Sequence, residues 1–265
     1  MCAASAAPPL DAVKPPLRII ARLDIKGPNV VKGVHLEGLR IVGKPGELAR
    51  RYYEQGVDEI IYMDIVASLY GRNNILAVVE EAAREIFVPL TVGGGIRSLD
   101  DIVAALRSGA DKVAINTAAI ARPTFLKEAA EALGSQCIVL SVEAKRRGPG
   151  RWEALTDNGR ETTGVDVLAW VHEAETLGAG EILITSVDQE GTKTGFDTEL
   201  IAAVHERVRI PVIACGGAGK AEHVSALVSG DAADAVACAS IFHYGTCLVP
   251  ALKAHLMGRG ISVRA

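Results

Sequence analysis

The sequence predicts an α/β fold, a closed (β/α)8 barrel assembled from two similar halves. Eight short apolar runs each lead into a polar loop and then an amphipathic stretch, and about 250 residues is the length that eight such units occupy. Glu59-Ile60-Ile61 recurs as Glu181-Ile182-Leu183. The same spacing carries Val88-Pro89 onto Ile210-Pro211 and Gly94-Gly95 onto Gly216-Gly217, an internal two-fold repeat.

Residues 1–16, closed by Pro15-Pro16, read as a disordered tail, and residues 17–265 as one barrel domain. Leu17 to Lys26 is the first strand, with Arg18 near its start and Asp24 near its end. Residues 27–45 read as a long loop carrying Lys32, after which Pro45 opens a helix to Gln55. The second strand ends on Asp64 and is followed by the loop 68–74 and a helix to about Ile86. Val88 to Gly95 is the third strand, and Ser98 caps the next helix, because a serine hydroxyl accepts from the free N–H groups of the first turn. The fourth strand ends at Asn116-Thr117, and Pro123 starts another helix. The fifth runs through Glu143 into a loop, 146–164, long enough for a lid or a small hairpin. A helix from Asp166 to Leu177 leads to the sixth strand, Ile182 to Thr185. The seventh, Pro211 to Cys215, runs into Gly216-Gly217, and the eighth runs into Ala239-Ser240.

Composition excludes several classes. The net charge of −4 and the lack of a basic cluster argue against a nucleic-acid groove. No apolar run reaches the length of a membrane span, and the N-terminus has neither a charged region nor a sustained apolar one, so a soluble cytoplasmic protein is expected. Five cysteines form no CxxC pair and read as buried thiols. The six histidines are scattered, with no pair four apart on a helix face, so no metal site is expected.

Candidate chemistry gathers at the carboxyl ends of the strands, where parallel barrels place their sites. A slightly shorter repeat spacing carries Asp24-Ile25-Lys26 onto Glu143-Ala144-Lys145. Two acids thereby end the first and fifth strands, on opposite walls of one mouth, an arrangement suited to general acid and base work. Gly93-Gly94-Gly95 and Gly216-Gly217 follow the third and seventh strands, where small residues let backbone N–H groups approach an anion; as plain tight turns they would carry no function. With Asn116, Thr117, Ala239 and Ser240 at the adjacent strand ends they read as two phosphate cradles, with the acids between them. Lys32, Thr185, Gly191 and Lys193 are further candidates for holding phosphorylated substrate. Asp188 and Glu190 flank Gln189, one to act chemically and the other to cap the turn. At the opposite ends of the strands Arg18, Glu59, Lys112 and Glu181 read either as a salt-bridged plug or as a gated opening.

RIIARLDIK, VVKG, TVGGGI, GADKVAINTAA, TSVDQEGTKTGFD, IACGGAGK and ASIFH together resemble the cyclase subunit of imidazole glycerol phosphate synthase, over essentially Leu17 to Arg264. The resemblance implies a lyase of histidine biosynthesis. In that reaction ammonia attacks a bis-phosphorylated ribulosyl formimino carboxamide nucleotide, giving imidazole glycerol phosphate and aminoimidazole carboxamide ribotide without a cofactor. It places the catalytic acids at Asp24 and Glu143, with Glu190 in the loop motif. It makes Arg18, Glu59, Lys112 and Glu181 a gate for ammonia and Asp111 a contact with a glutaminase subunit in a heterodimer. The chain departs from the family pattern in three places: Glu143 and Glu190 stand where Asp is usual, and Arg22 where Cys is common. An added methylene displaces a carboxylate by about 1 Å, a misplacement that can cost about 100-fold in rate. Two alternatives follow, a divergent synthase using channelled ammonia on another phosphorylated or sugar substrate, and a silent barrel that activates the glutaminase.

Overall fold

The computed structural model describes residues 15–67, 75–230 and 232–264. The expected tail lies outside them except for Pro15 and Pro16, as does the loop 68–74. Eight parallel strands close into a barrel in the order β1 (Arg18–Lys26), β4 (Glu59–Asp64), β5 (Leu90–Gly93), β6 (Lys112–Ile115), β7 (Ile138–Gly148), β10 (Glu181–Ser186), β11 (Val212–Cys215) and β12 (Ala235–Cys238), and β12 pairs back onto β1. Between them, β2 (Asn29–Val34) with β3 (Glu37–Gly43), and β8 (Arg151–Thr156) with β9 (Glu161–Asp166), extend from the ends of β1 and β7.

Burial on both faces explains why the barrel strands are so uniformly apolar. Every residue of β4 and β10 is buried, charged ones included. Inward side chains Ile20, Ile61, Val139, Leu183, Ile213 and Ala235 form an apolar layer inside the barrel. Outward ones such as Ile19, Ile60, Ile182 and Val212 pack with the surrounding helices into the larger core. Because strand side chains alternate, one row on β1 runs Arg18, Ile20, Arg22, Asp24 from one barrel end to the other.

Several helix boundaries follow the sequence rules. Pro45 opens the helix Pro45–Glu54. Ser98 caps Leu99–Arg107 in a reciprocal box with Asp101, and Asp166 caps Val167–Thr176. The stretch 27–45 is not the loop expected. It is the β2–β3 hairpin, turning at His35 and Leu36 with φ of 50° and 65°. Bulky residues rarely hold such left-handed conformations. Leu36 is kept there by burial against Leu155 and Val187. The stretch 146–164 takes the hairpin form of its two expected alternatives, so each half of the repeat carries a hairpin after its first strand.

Candidate active site

Asp24 lies near the end of β1 and Glu143 midway along β7, where that strand leaves the barrel to pair with β8, and both are buried, at 3% and 7% exposure. The two acids have contrasting surroundings. Asp24 Oδ1 accepts from Arg22 Nε at 2.8 Å and Oδ2 accepts from Lys32 Nζ at 3.0 Å. The two cations outweigh the cost of burial and hold this carboxyl well below the usual range. Glu143 has no such partner. Its Oε2 accepts from Asn116 Nδ2 at 3.0 Å and from the Gly159 N–H at 2.8 Å. Burial dominates over these bonds and over the more distant Arg22 charge, and pushes Glu143 up to about 7. One acid is therefore a fixed carboxylate and the other exchanges its proton near neutrality, the divergence that separates acid and base roles in an active site.

Arg22 is 1% exposed and spans the interior. Its Nη1 donates to Thr185 Oγ1 on β10 at 2.9 Å and approaches Cys215 Sγ on β11 at 3.4 Å. Thr185 is the parallel neighbour of Glu143, so Arg22 ties both halves of the barrel together beneath the acids. Lys32 reaches in from β2 and also bonds Glu190. Glu190 is buried against Lys32, whereas Asp188 bonds Lys145 Nζ and the Arg146 N–H, so the two loop acids have different partners. Lys193 lies 4.1 Å above the Tyr244 ring.

The two anticipated cradles share a backbone. Gly94 and Gly216 have φ of 90° and 97°, and Gly95 and Gly217 of 76° and 102°. A Cβ at Gly94 would sit 2.0 Å from the Asp64 carbonyl oxygen, so only glycine fits there. They differ in access. Gly95, Asn116 and Thr117 open into a cavity of about 370 Å³ that reaches Glu143. Gly216, Gly217, Ala239 and Ser240 are buried. The loop after β10 covers them, with the Gly195 N–H bonded to the Gly217 carbonyl, and Gly191 packs against Gly33 of the first hairpin.

At the other end of the barrel Arg18 bonds both Glu59 and Glu181, and Lys112 bonds the same two acids at 3.0 and 2.9 Å. The four residues form a closed ring of alternating charge on four different strands. Asp111 lies beside it on the surface, its Oδ2 accepting from the Leu90 N–H.

A sequence profile described as "Histidine biosynthesis protein" matches residues 18–247. The chain belongs to that histidine biosynthesis family. Imidazole glycerol phosphate synthase subunit HisF of Legionella pneumophila is 64% identical over 206 residues, which is 78% of this chain and 97% of the relative. Arg22 links the two halves of the barrel within the site. Reasoning from sequence placed a charge beside Asp24 there, but not the reach to Thr185 and Cys215. It missed Asn158, Ser141, Arg97 and Arg122, all of which line the open cavity. Asn158 sits in the string Thr156-Asp157-Asn158-Gly159, which reads as a turn and nothing more. Among the described residues no group of His, Cys, Asp and Glu is placed to hold a metal, the four cysteines are unpaired, and no helix is long and apolar enough to cross a membrane.

Proposed function

We propose that this chain is the ammonia-dependent cyclase of histidine biosynthesis, a lyase converting the bis-phosphorylated ribulosyl formimino carboxamide nucleotide to imidazole glycerol phosphate and aminoimidazole carboxamide ribotide. The observation that carries the reading is the pair of buried acids of opposite proton affinity, set between two repeat-related glycine cradles in a chain of this family. The named relative supports the same activity.

Asp24, ionised throughout the physiological range, takes the proton released as ammonia adds to the ribulosyl carbonyl of the substrate, whose oxygen leaves as water while the ring closes. Arg22 and Lys32 fix its position, and Arg22 keeps it from acquiring a proton permanently. Glu143 supplies a proton to the departing nitrogen, a task for a group that is substantially protonated near pH 7. The open cradle at Gly95, Asn116 and Thr117 takes one phosphate. The second phosphate enters at Gly216, Gly217, Ala239 and Ser240 when the loop carrying Glu190 and Gly191 lifts, and Lys32 is released from Glu190 to meet the anion. Thr185 steadies the reacting face through Arg22.

Ammonia enters past the ring of Arg18, Glu59, Lys112 and Glu181, delivered by a glutaminase subunit that docks around Asp111 to form a cytoplasmic heterodimer. The silent-barrel alternative is disfavoured by a site that retains two perturbed acids, and the alternative of another substrate by the named relative. The purified chain, given an ammonium salt at alkaline pH and the bis-phosphorylated nucleotide, forms both products without its partner. Absence of turnover from protein with intact circular dichroism refutes the reading.

A further inference from the structure

Above its apolar layer the barrel interior has two unlike sides. Towards β10 and β11 it is filled by Arg22, whose guanidinium reaches Thr185 and Cys215. Towards β6 and β7 it is open, and the cavity of about 370 Å³ descends to Met63, Ala114 and Ser141. Side chains alternate along a strand, so the inward row on β6 runs Lys112, Ala114, Asn116 and on β7 Val139, Ser141, Glu143. The cavity floor at Ala114 therefore stands two residues, about 7 Å, from the charged ring at Lys112. One methyl group is all that this row places between them.

Ser141 supplies a polar group on that floor, and it is 5% exposed. Its Oγ has no hydrogen-bond partner among the described residues. Unlike Asn116 Oδ1 and Asn158 Nδ2, it is not sealed from the cavity. A hydroxyl so nearly buried and unpaired carries a desolvation cost that a bound partner recovers. One step further along the same row, Glu143 gives its Oε2 to Asn116 Nδ2 and the Gly159 N–H. Whatever Ser141 holds thus lies beneath the proton-exchanging acid, at the end of the cavity nearest the ring.

A single hydroxyl at the bottom of a cavity suits a small neutral molecule that forms hydrogen bonds. A carboxylate in this place would favour the charged ammonium ion, which has no lone pair with which to attack. A hydroxyl accepts an N–H without adding a charge. We propose that Ser141 is the residue that receives ammonia in this chain: its Oγ accepts one N–H at the cavity floor and leaves the nitrogen lone pair free for the substrate above. Naming ammonia as the molecule held rests on the function proposed above.

Steady-state kinetics of the purified chain test the assignment, with ammonium chloride and the bis-phosphorylated nucleotide varied in turn at one alkaline pH. Ser141→Ala raises KM for ammonia by about tenfold, the scale of one hydrogen bond lost, and leaves KM for the nucleotide within about twofold of wild type. Ser141→Thr keeps the hydroxyl and returns the ammonia KM to within about threefold of wild type. An unchanged ammonia KM in Ser141→Ala overturns the assignment and leaves the proposed function standing. So does a rise of both KM values together, which marks a structural role. So does a Ser141→Thr protein no better than Ser141→Ala, when its circular dichroism and nucleotide KM match wild type. A wild-type chain with no ammonium-driven turnover overturns the proposed function and this assignment with it.

Discussion

Glu143→Gln separates the cost of the buried acid from its use. Gln has the same shape, and its amide oxygen keeps the bonds from Asn116 Nδ2 and the Gly159 N–H. Only the ability to ionise is lost. The folded protein raises Glu143 from an ordinary 4.5 to about 7, so it favours the protonated acid more than the unfolded chain does. The stability this contributes is complete below 4.5 and is lost as pH rises through about 7. Each tenfold change in proton affinity corresponds to about 1.4 kcal/mol. At pH 8 wild type is therefore about 3 kcal/mol less stable than it would be with an unperturbed acid. Glu143→Gln removes that penalty. Urea denaturation of both proteins at pH 4 and pH 8 should show the variant gaining on wild type by about 3 kcal/mol between the two, while its turnover falls by about 100-fold or more. A difference that does not change with pH refutes the placement of Glu143 in a site that disfavours its charge. Full turnover in the variant refutes its role as proton donor.

Other perturbations test the remaining parts of the site. Arg22→Met leaves a buried carboxylate with one cation in place of two, and is expected to destabilise the protein by about 3 kcal/mol or more in urea denaturation. Because Arg22 helps to hold Asp24 low, its loss raises the folded-state proton affinity of Asp24, so the stability tied to the ionised acid becomes smaller and is fully lost at a higher pH as the solution is acidified, and the acid limb of the pH–rate profile moves up with it. Asp24→Asn lowers kcat with ammonium salt by about 100-fold or more with circular dichroism unchanged; a silent barrel would show no loss because it would have no such activity to lose. Glu181→Gln removes one acid from the ring and lowers glutamine-driven turnover by the assembled complex more than ammonium-driven turnover by the chain alone, a ratio that a purely structural plug would not move.

The parts of this molecule that were legible in its sequence are those set by strict alternation and by repetition. Arg18 and Asp24 fall on one face of a strand by counting residues, and Glu59 and Glu181 identify each other through the repeat. Ser98 and Pro45 mark helix starts by chemistry that needs no tertiary partner. The β2–β3 hairpin was illegible because its turn, His35-Leu36, lacks the Asn or Gly that left-handed turns favour; distant contacts to Leu155 and Val187 hold it. Arg22 was visible as a charge, but the direction of a long side chain across a barrel depends on which other strands offer it a partner, here β10 and β11. Asn158 was hidden by being a good turn residue as well as a site residue. Asp188 and Glu190, equivalent as neighbours in a loop, are separated by Lys145 of β7 and Lys32 of β2, each of which pairs with one of them.

Asp24 and Glu143 stand at one end of the barrel with sharply different proton affinities. This difference is tested most directly by titrating both carboxyls through carbon-13 NMR of glutamate- and aspartate-labelled protein, with Glu143→Gln and Asp24→Asn spectra assigning the signals. The expected result is a Glu143 carboxyl that titrates near pH 7 and an Asp24 carboxyl still ionised well below the usual carboxylate range. A Glu143 signal that titrates near 4.5, or an Asp24 signal that titrates at or above its ordinary value, contradicts it.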